Sequence, residues 1–446
     1  MAESSRASSL ERFLNLFTQV RPGEARTALL LALNIFLILM AYYILKTVRE
    51  ALILGEGSAE LKSYLSAGQV AVLALAVPLY GRLVAKFPRM KLINIVTVFF
   101  ILCPPVFYIL AQFGVPLAII YFVWIGIFNL MIVAQFWSFA NDIYSKEEGE
   151  RLFVIVGFGA SLGAVFGSQV ADWLIEPFGV LQLMLLGALV LATQLFLANY
   201  VDRLERGRRA APGGQAKPAK VSGSNAFALV FRTRYLLLMG LMLMMLNWIN
   251  TTGEYILGSI VKQNATALIA SGQATGLTEG QIIGDFYAKF FSLVNASSLV
   301  LQLFVVSRVV KYLGVAWAVM ILPALSFGAY NILVFIPTLT AVMTAKVAEN
   351  STDYSLNNTV RNMLFLPCTY EEKFSAKQAI DSFFVRIGDL LSAALVFVGT
   401  SFLVLPPRGF ALVNAILVVL WLILAWRVGR SYQALTVTRR APVVAA

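Results

Sequence analysis

The chain has 446 residues, 59% of them hydrophobic and 13% charged, with a formal net charge of +12. Soluble domains carry about 25% charged residues and about half apolar ones, so this composition excludes a water-soluble globule. The basic excess reads as Lys- and Arg-rich cytoplasmic loops, not as a nucleic-acid surface.

A spanning helix needs about 20 mostly apolar residues, so about twelve with short loops fill roughly 300 residues and leave chain for two longer connections. Residues 1–27 are polar and mixed in charge, unlike a cleaved signal peptide, and are expected to form a cytoplasmic N-terminal segment. The first four spans are predicted at about Ala28–Lys46, Leu65–Leu83, Leu92–Phe113 and Pro116–Ile143. After the polar stretch Ser145–Arg151, a fifth reaches about Leu174 and a sixth covers Val180–Tyr200. Residues 202–234 form a basic cytoplasmic linker, rich in Arg, Gly, Pro, Lys and Ser up to Asn225. Spans seven to nine follow at about Tyr235–Ile260, Ile282–Val306 and Val315–Ile336. The last three are Leu339–Leu364, Ala376–Phe402 and Phe410–Trp426, before a tail of residues 429–446.

The basic residues sort onto one side. Arg82, Lys86, Arg89 and Lys91 lie between spans two and three, Arg308 and Lys311 between eight and nine, and Arg427 and Arg430 after twelve. With the basic linker these share a face if there are twelve spans, which places both termini in the cytoplasm. The halves also echo each other: Arg82 and Arg308 are 226 residues apart, and Glu147-Glu148 precedes Glu371-Glu372 by 224. An all-α membrane protein of two six-helix halves, residues 28–201 and 235–428, resembles the plan of the major facilitator superfamily, with cargo bound at the midplane.

A charge at mid-bilayer costs about 2.5–3.5 kcal/mol on insertion scales, so charged residues inside spans are either functional or tightly paired. In span one, Asn34, Tyr42, Lys46 and Arg49 share a stripe, and Lys46 and Arg49 form a two-cation patch beside Glu50. That patch reads equally as an anion site or as an anchor whose side chains snorkel to the interface. Span seven carries Asn247, Asn250, Thr251 and Glu254 on one side, and span eight opens with Asp285 and Lys289, four apart and able to pair.

Span ten gives the strongest signal. Lys346, Asn350, Asp353, Asn357 and Arg361 recur every three or four residues on a face that cannot meet lipid. Such a face either lines a polar cavity or forms an internal network; cavity lining is the adopted expectation. Span eleven begins Lys373, Lys377, Asp381, with Arg386 and Asp389 deeper and expected to be a structural pair. In span five, Gly157, Ser161, Ala164 and Ser168 make a small-residue face for close helix packing. No Walker motif is present, which argues against a pump driven by hydrolysis. The chain has no histidine, which removes imidazole proton relays and most metal sites. Its two cysteines, Cys103 and Cys368, signal no disulfide.

At these residues the chain resembles the ATP/ADP translocase (nucleotide transporter) family of plastids and obligate intracellular bacteria. The family's Asn-Tyr-x-(apolar)2-Arg-x-x-Lys-Asp pattern stands here as Ala41-Tyr42-Tyr43-Ile44-Leu45-Lys46-Thr47-Val48-Arg49-Glu50. Its Phe-Trp-x-Phe-Ala-Asn block is Phe136–Asn141, followed by Glu148-Gly149-Glu150-Arg151 and Gly157-Phe158-Gly159-Ala160. Its Gly-Asp-Phe is Gly284-Asp285-Phe286, and its Lys-x-x-x-Lys-x-Ala-Ile-acid run is Lys373–Asp381. The resemblance implies exchange of ATP and ADP, with Lys46, Arg49, Glu148 and Lys377 as essential charges. One position departs: where the family carries a Glu three residues after an Asn, Asn247 is followed by Asn250, and Glu254 lies one turn further on.

The expected activity is therefore alternating-access exchange of adenine nucleotides, with no cofactor, no metal and no catalytic residue. Lys46, Arg49, Lys289, Lys346, Arg361 and Lys377 are expected to face the phosphates. Asn141, Glu148, Asn247, Asn250, Glu254, Asp285, Asn350, Asn357 and Asp381 complete the polar lining, and Tyr42, Trp137 or Tyr354 stacks the base. Buried cations are costly when the site is empty, and that cost favours obligatory exchange. The other partners expected are the lipid bilayer of a bacterial inner membrane and no nucleic acid, with the protein a monomer. Two alternatives stay open: a proton-coupled or exchange carrier of another phosphorylated anion, working through Glu254 or Asp285, and a non-transporting receptor or scaffold.

Overall fold

The structure, a computed structural model, describes residues 18–144, 146–209, 226–274, 276–368 and 376–440. Parts of the N-terminal segment, the linker and the tail, together with Glu371, Glu372 and Lys373, lie outside the described residues. Among the described residues all regular structure is helical. The first six long helices are α1 Ala25–Gly55, α2 Ala59–Lys86, α3 Arg89–Gln112, α4 Ala118–Ile143, α5 Lys146–Phe178 and α6 Val180–Arg209. A short helix, Ala226–Arg232, precedes α7 Arg234–Ala270. Helix α8 Glu279–Phe304 bends by 47° into Val306–Leu313. Then come α9 Ile321–Phe335, α10 Leu339–Thr352, α11 Val385–Ser401 and α12 Pro407–Arg440.

Eight helical segments among the described residues are long and apolar enough to cross a membrane, nine if the bent α8 pair counts as one span. The more polar stretches built on α2, α10 and α11 are also of spanning length, consistent with about twelve spans. The protein is an integral membrane protein. In lipid every backbone polar group must be satisfied within the segment, which is why the chain answers with helices.

Two of the polar stretches are not regular α-helix. α10 runs into a π turn, Asp353–Asn357, before Asn358–Met363 completes it, and α11 is preceded by Lys377–Ala379 and a π turn, Ile380–Phe384. Each π turn inserts wider spacing and changes the face that later residues occupy. Along the stripe expected from Lys346 to Arg361, Lys346, Asn350 and Asn357 are buried, whereas Asp353 and Arg361 are only partly so.

Contacts divide the chain into two compact units. Among the described residues the first holds 18–56, 71–144, 146–209 and 276–295. Its core is aliphatic and aromatic, built around Leu31, Ile35, Phe100, Trp124 and Phe128. Here α1 lies directly on α5. A Cβ at Gly159, Gly163 or Gly167 would collide with the backbone of Ala32, Phe36 and Met40 respectively, so only hydrogen permits the approach. Of the expected packing face, Gly157 meets open space instead, and Ala164 and Ser168 pack on α8, where both accept from Asn295.

Among the described residues the second unit holds 57–70, 226–274, 296–368 and 376–440. Helix α7 is its axis, packing on α11, α12 and α10. Gly388 of α11 meets the backbone of Met244 and Trp248, leaving no room for a side chain there.

Candidate functional site

Within the first unit, Lys46 of α1 points its ammonium at aromatic rings. Its Nζ lies 4.1 Å from the centre of Phe291, 5.2 Å from Tyr43 and 6.0 Å from Tyr42. Ring faces carry negative potential and attract a cation without cancelling its charge. Tyr42 also stacks on Phe128 with centroids 6.2 Å apart. Arg49 differs: it pairs with Glu50, whose side chain is 1% exposed, and stacks over Phe122 at 5.0 Å. The expected two-cation patch thus has aromatic rings beside Lys46 and a carboxylate on Arg49.

Further charges in this unit lie on α8 and α5. Lys289 donates to Asp285 at 2.8 Å across one helical turn, and both remain partly exposed. Ser292 donates to Gln169, which donates in turn to Asp172. Asn141 is exposed and Glu148 half-buried, near the start of α5. That end of α5 packs on the first turns of α1 through Leu152, Ile155, Ala25 and Ala28. Lys46 lies 21 residues along α1 from Ala25, roughly 30 Å at helical rise. Asn141 and Glu148 are therefore not brought together with Lys46.

The second unit contains the densest polar cluster. Lys346 of α10 is 1% exposed and donates at 2.8 Å to Glu349 and at 2.8 Å to Asn250 of α7. Glu349 also accepts from Ser326 at 2.9 Å and Tyr330 at 3.2 Å, so its charge is fully engaged. Asn350 donates to Glu254 at 3.2 Å, and Glu254 lies 3.6 Å from both Lys346 and Lys62 of α2. The span-ten face is thus a buried network that draws in Asn250, Glu254, Lys346 and Asn350. Glu349, Lys62, Tyr330 and Ser326 are participants that sequence reasoning missed. The Lys346–Glu349 spacing of three was visible as a pairing signal; Lys62 stands before the predicted second span and looked like loop.

Asp353 lines a small cavity with Asn250 and Glu349 of this cluster; the other expected residues lie further away. Asn357 donates to Asp353 at 2.6 Å inside the π turn. Arg361 sits 15 residues beyond Lys346, roughly 22 Å along the helix. Lys377 donates to Asn362 at 2.7 Å and lies 5.6 Å from the ring of Phe365. The Asp381 carboxylate is half-buried. Asn247 donates to Asp389 at 2.6 Å, where Thr251 and Arg386 also converge. That cluster fastens α11 to α7, in line with the structural role expected of Arg386 and Asp389. Of the rings considered for base stacking, Tyr354 is exposed and Trp137 packs edge-on against Phe153.

Residues 28–367 match the family described as Major Facilitator Superfamily. ADP,ATP carrier protein 1 of Chlamydia pneumoniae is 20% identical over 355 residues, covering 69% of this chain and 65% of that protein. ADP,ATP carrier protein 2 of Chlamydia trachomatis is 24% identical over 361 residues, covering 69% and 64%. The match thus spans just under two thirds of the length of these relatives. Among solved structures, the nucleoside transporter NupG superposes with a TM-score of 0.61 at 14% identity, over 92% of this chain and 99% of that one. A POT family transporter in complex with 5-aminolevulinic acid gives 0.63 at 13%, over 95% and 99%. At such identities these structures speak for the fold alone.

Proposed function

The chain belongs to the Major Facilitator Superfamily of membrane transporters, and we propose that it exchanges adenine nucleotides, ATP against ADP, by alternating access. The observation that carries this reading is Lys46. Its ammonium lies in a spanning helix, with the faces of Tyr42, Tyr43 and Phe291 among its contacts. A cation kept in hydrocarbon is expensive. Aromatic faces offset part of that cost. The relatives named ADP,ATP carriers supply the nucleotide part of the proposal. In this reading residues 28–201 and 235–428 are two six-helix halves of a monomer in a bacterial inner membrane. Both termini are cytoplasmic.

A second reading, another phosphorylated anion as cargo, is favoured by Asn250. It stands where the resembling family has a glutamate, and its side-chain oxygen accepts from Lys346 at 2.8 Å.

A thermal-shift panel on the purified chain separates the readings, since a ligand that binds the folded state raises its melting temperature. ATP and ADP are expected to give the largest shifts. A shift with organic phosphates and none with nucleotides moves the assignment to the second reading. No shift with any anion overturns both.

A further inference from the structure

Glu254 of α7 places its carboxylate between two lysines. Oε1 lies 3.6 Å from Lys346 Nζ, and Oε2 lies 3.6 Å from Lys62 Nζ. Both separations exceed the roughly 2.7–2.9 Å of a charge-assisted hydrogen bond. Asn350 donates to the same carboxylate at 3.2 Å. Lys346, by contrast, is already committed at 2.8 Å to Glu349 and to Asn250. The side chains of Lys62 and Lys346 are 8% and 1% exposed, and that of Glu254 is 24%. The carboxylate is thus the most exposed member of a cluster whose two cations are buried.

We propose that Glu254 is a displaceable stand-in for the phosphoryl group of the cargo, and that Lys62 is a cargo-binding residue. The proposal rests on the anion-carrier reading above and deepens it. A phosphoryl group carries up to two negative charges and three strong acceptor oxygens. It can therefore replace both 3.6 Å contacts with shorter ones and still accept from Asn350. The exchange is favourable because the resident carboxylate holds neither lysine at hydrogen-bond distance. In its absence the two ammonium groups would be left as costly buried charges, so the cluster keeps a carboxylate of its own until cargo arrives.

Calorimetric titration of the full-length chain in detergent with ATP, ADP, pyrophosphate and phosphate tests this. Glu254→Gln is expected to tighten binding of the phosphorylated ligands by roughly tenfold, and Lys62→Gln to weaken it by a similar factor. The gain from Glu254→Gln should shrink in the Lys62→Gln background, because the two residues act on one site. Glu254→Asp, which keeps the charge but withdraws it, is a milder variant with the same direction of effect should the glutamine variant fail to fold. If ATP and ADP bind the wild type but neither glutamine variant alters their affinity, the inference falls and the nucleotide reading stands. If only pyrophosphate or phosphate binds, and follows the expected pattern, the nucleotide reading falls and the inference stands. No binding of any of the four overturns both.

Discussion

Lys346 and Glu349 sit one turn apart on α10, joined at 2.8 Å, with side chains 1% and 5% exposed. Removing either partner strands a buried charge, which costs about 3–5 kcal/mol, whereas replacing both with apolar residues of similar volume is close to neutral. Lys346→Met and Glu349→Leu are each expected to lower the melting temperature in detergent steeply. The double variant should recover most of the loss. Two single variants that melt like the wild type would show that the pair does not hold α10 in place.

The α1–α5 contact makes a second expectation. Gly163→Leu forces a side chain into the backbone of Phe36, and overpacking of this kind costs about 1–3 kcal/mol or more. Gly157→Ala, six residues earlier and facing open space, should be neutral or stabilising by up to about 1 kcal/mol through helix propensity. Melting curves of the two variants side by side check the difference. Equal losses would mean that the close face is wrongly placed.

At the start of α1, Arg151 donates through both terminal nitrogens to Glu24, at 2.8 and 2.9 Å, and the Arg21 amide adds a third bond. The Arg151 hydrogen bonds hold the Glu24 carboxyl below its ordinary range, against the opposing pull of burial. A carboxyl whose folded-state value is depressed contributes stability that is complete above its unfolded value and is lost as pH falls through the folded one. The contribution should therefore fade only below about pH 4.3, the ordinary glutamate value. Glu24→Gln is expected to lower the melting temperature at pH 7 and to flatten its acid dependence in that window. An unchanged acid profile in the variant would remove Glu24 from the account.

Lys46 separates transport from stability. Lys46→Met keeps the apolar stem beside Tyr42, Tyr43 and Phe291 and takes away a charge that is costly in hydrocarbon. The expected outcome is a melting temperature at or above that of the wild type, with uptake in vesicles reduced at least tenfold. Full uptake by the variant would assign the lysine to packing.

Much of the fold was legible because lipid leaves few options: apolar runs of spanning length must be helices, and α1, α4 and α12 stand where hydropathy put them. Helix ends were less so. α1 continues through Arg49 and Glu50 to Gly55, where protein neighbours bury Glu50–Leu54, and α7 continues through Lys262 to Ala270, where most side chains are exposed. The charged stripe of span ten was expected to line a cavity; Lys346 and Asn350 instead join a buried network with Glu349, Asn250 and Glu254. The π turn at Asp353–Asn357 was not legible. A hydrogen-bond slip of one residue leaves no mark in composition. Lys62 was missed because nothing in its own segment announces Glu254, 192 residues away.

Counterflow in reconstituted vesicles tests the central claim most directly. Proteoliposomes preloaded with ADP and given labelled ATP outside should accumulate label, and vesicles without internal nucleotide should not. Accumulation that ignores the internal nucleotide and instead follows an imposed pH gradient would contradict nucleotide exchange.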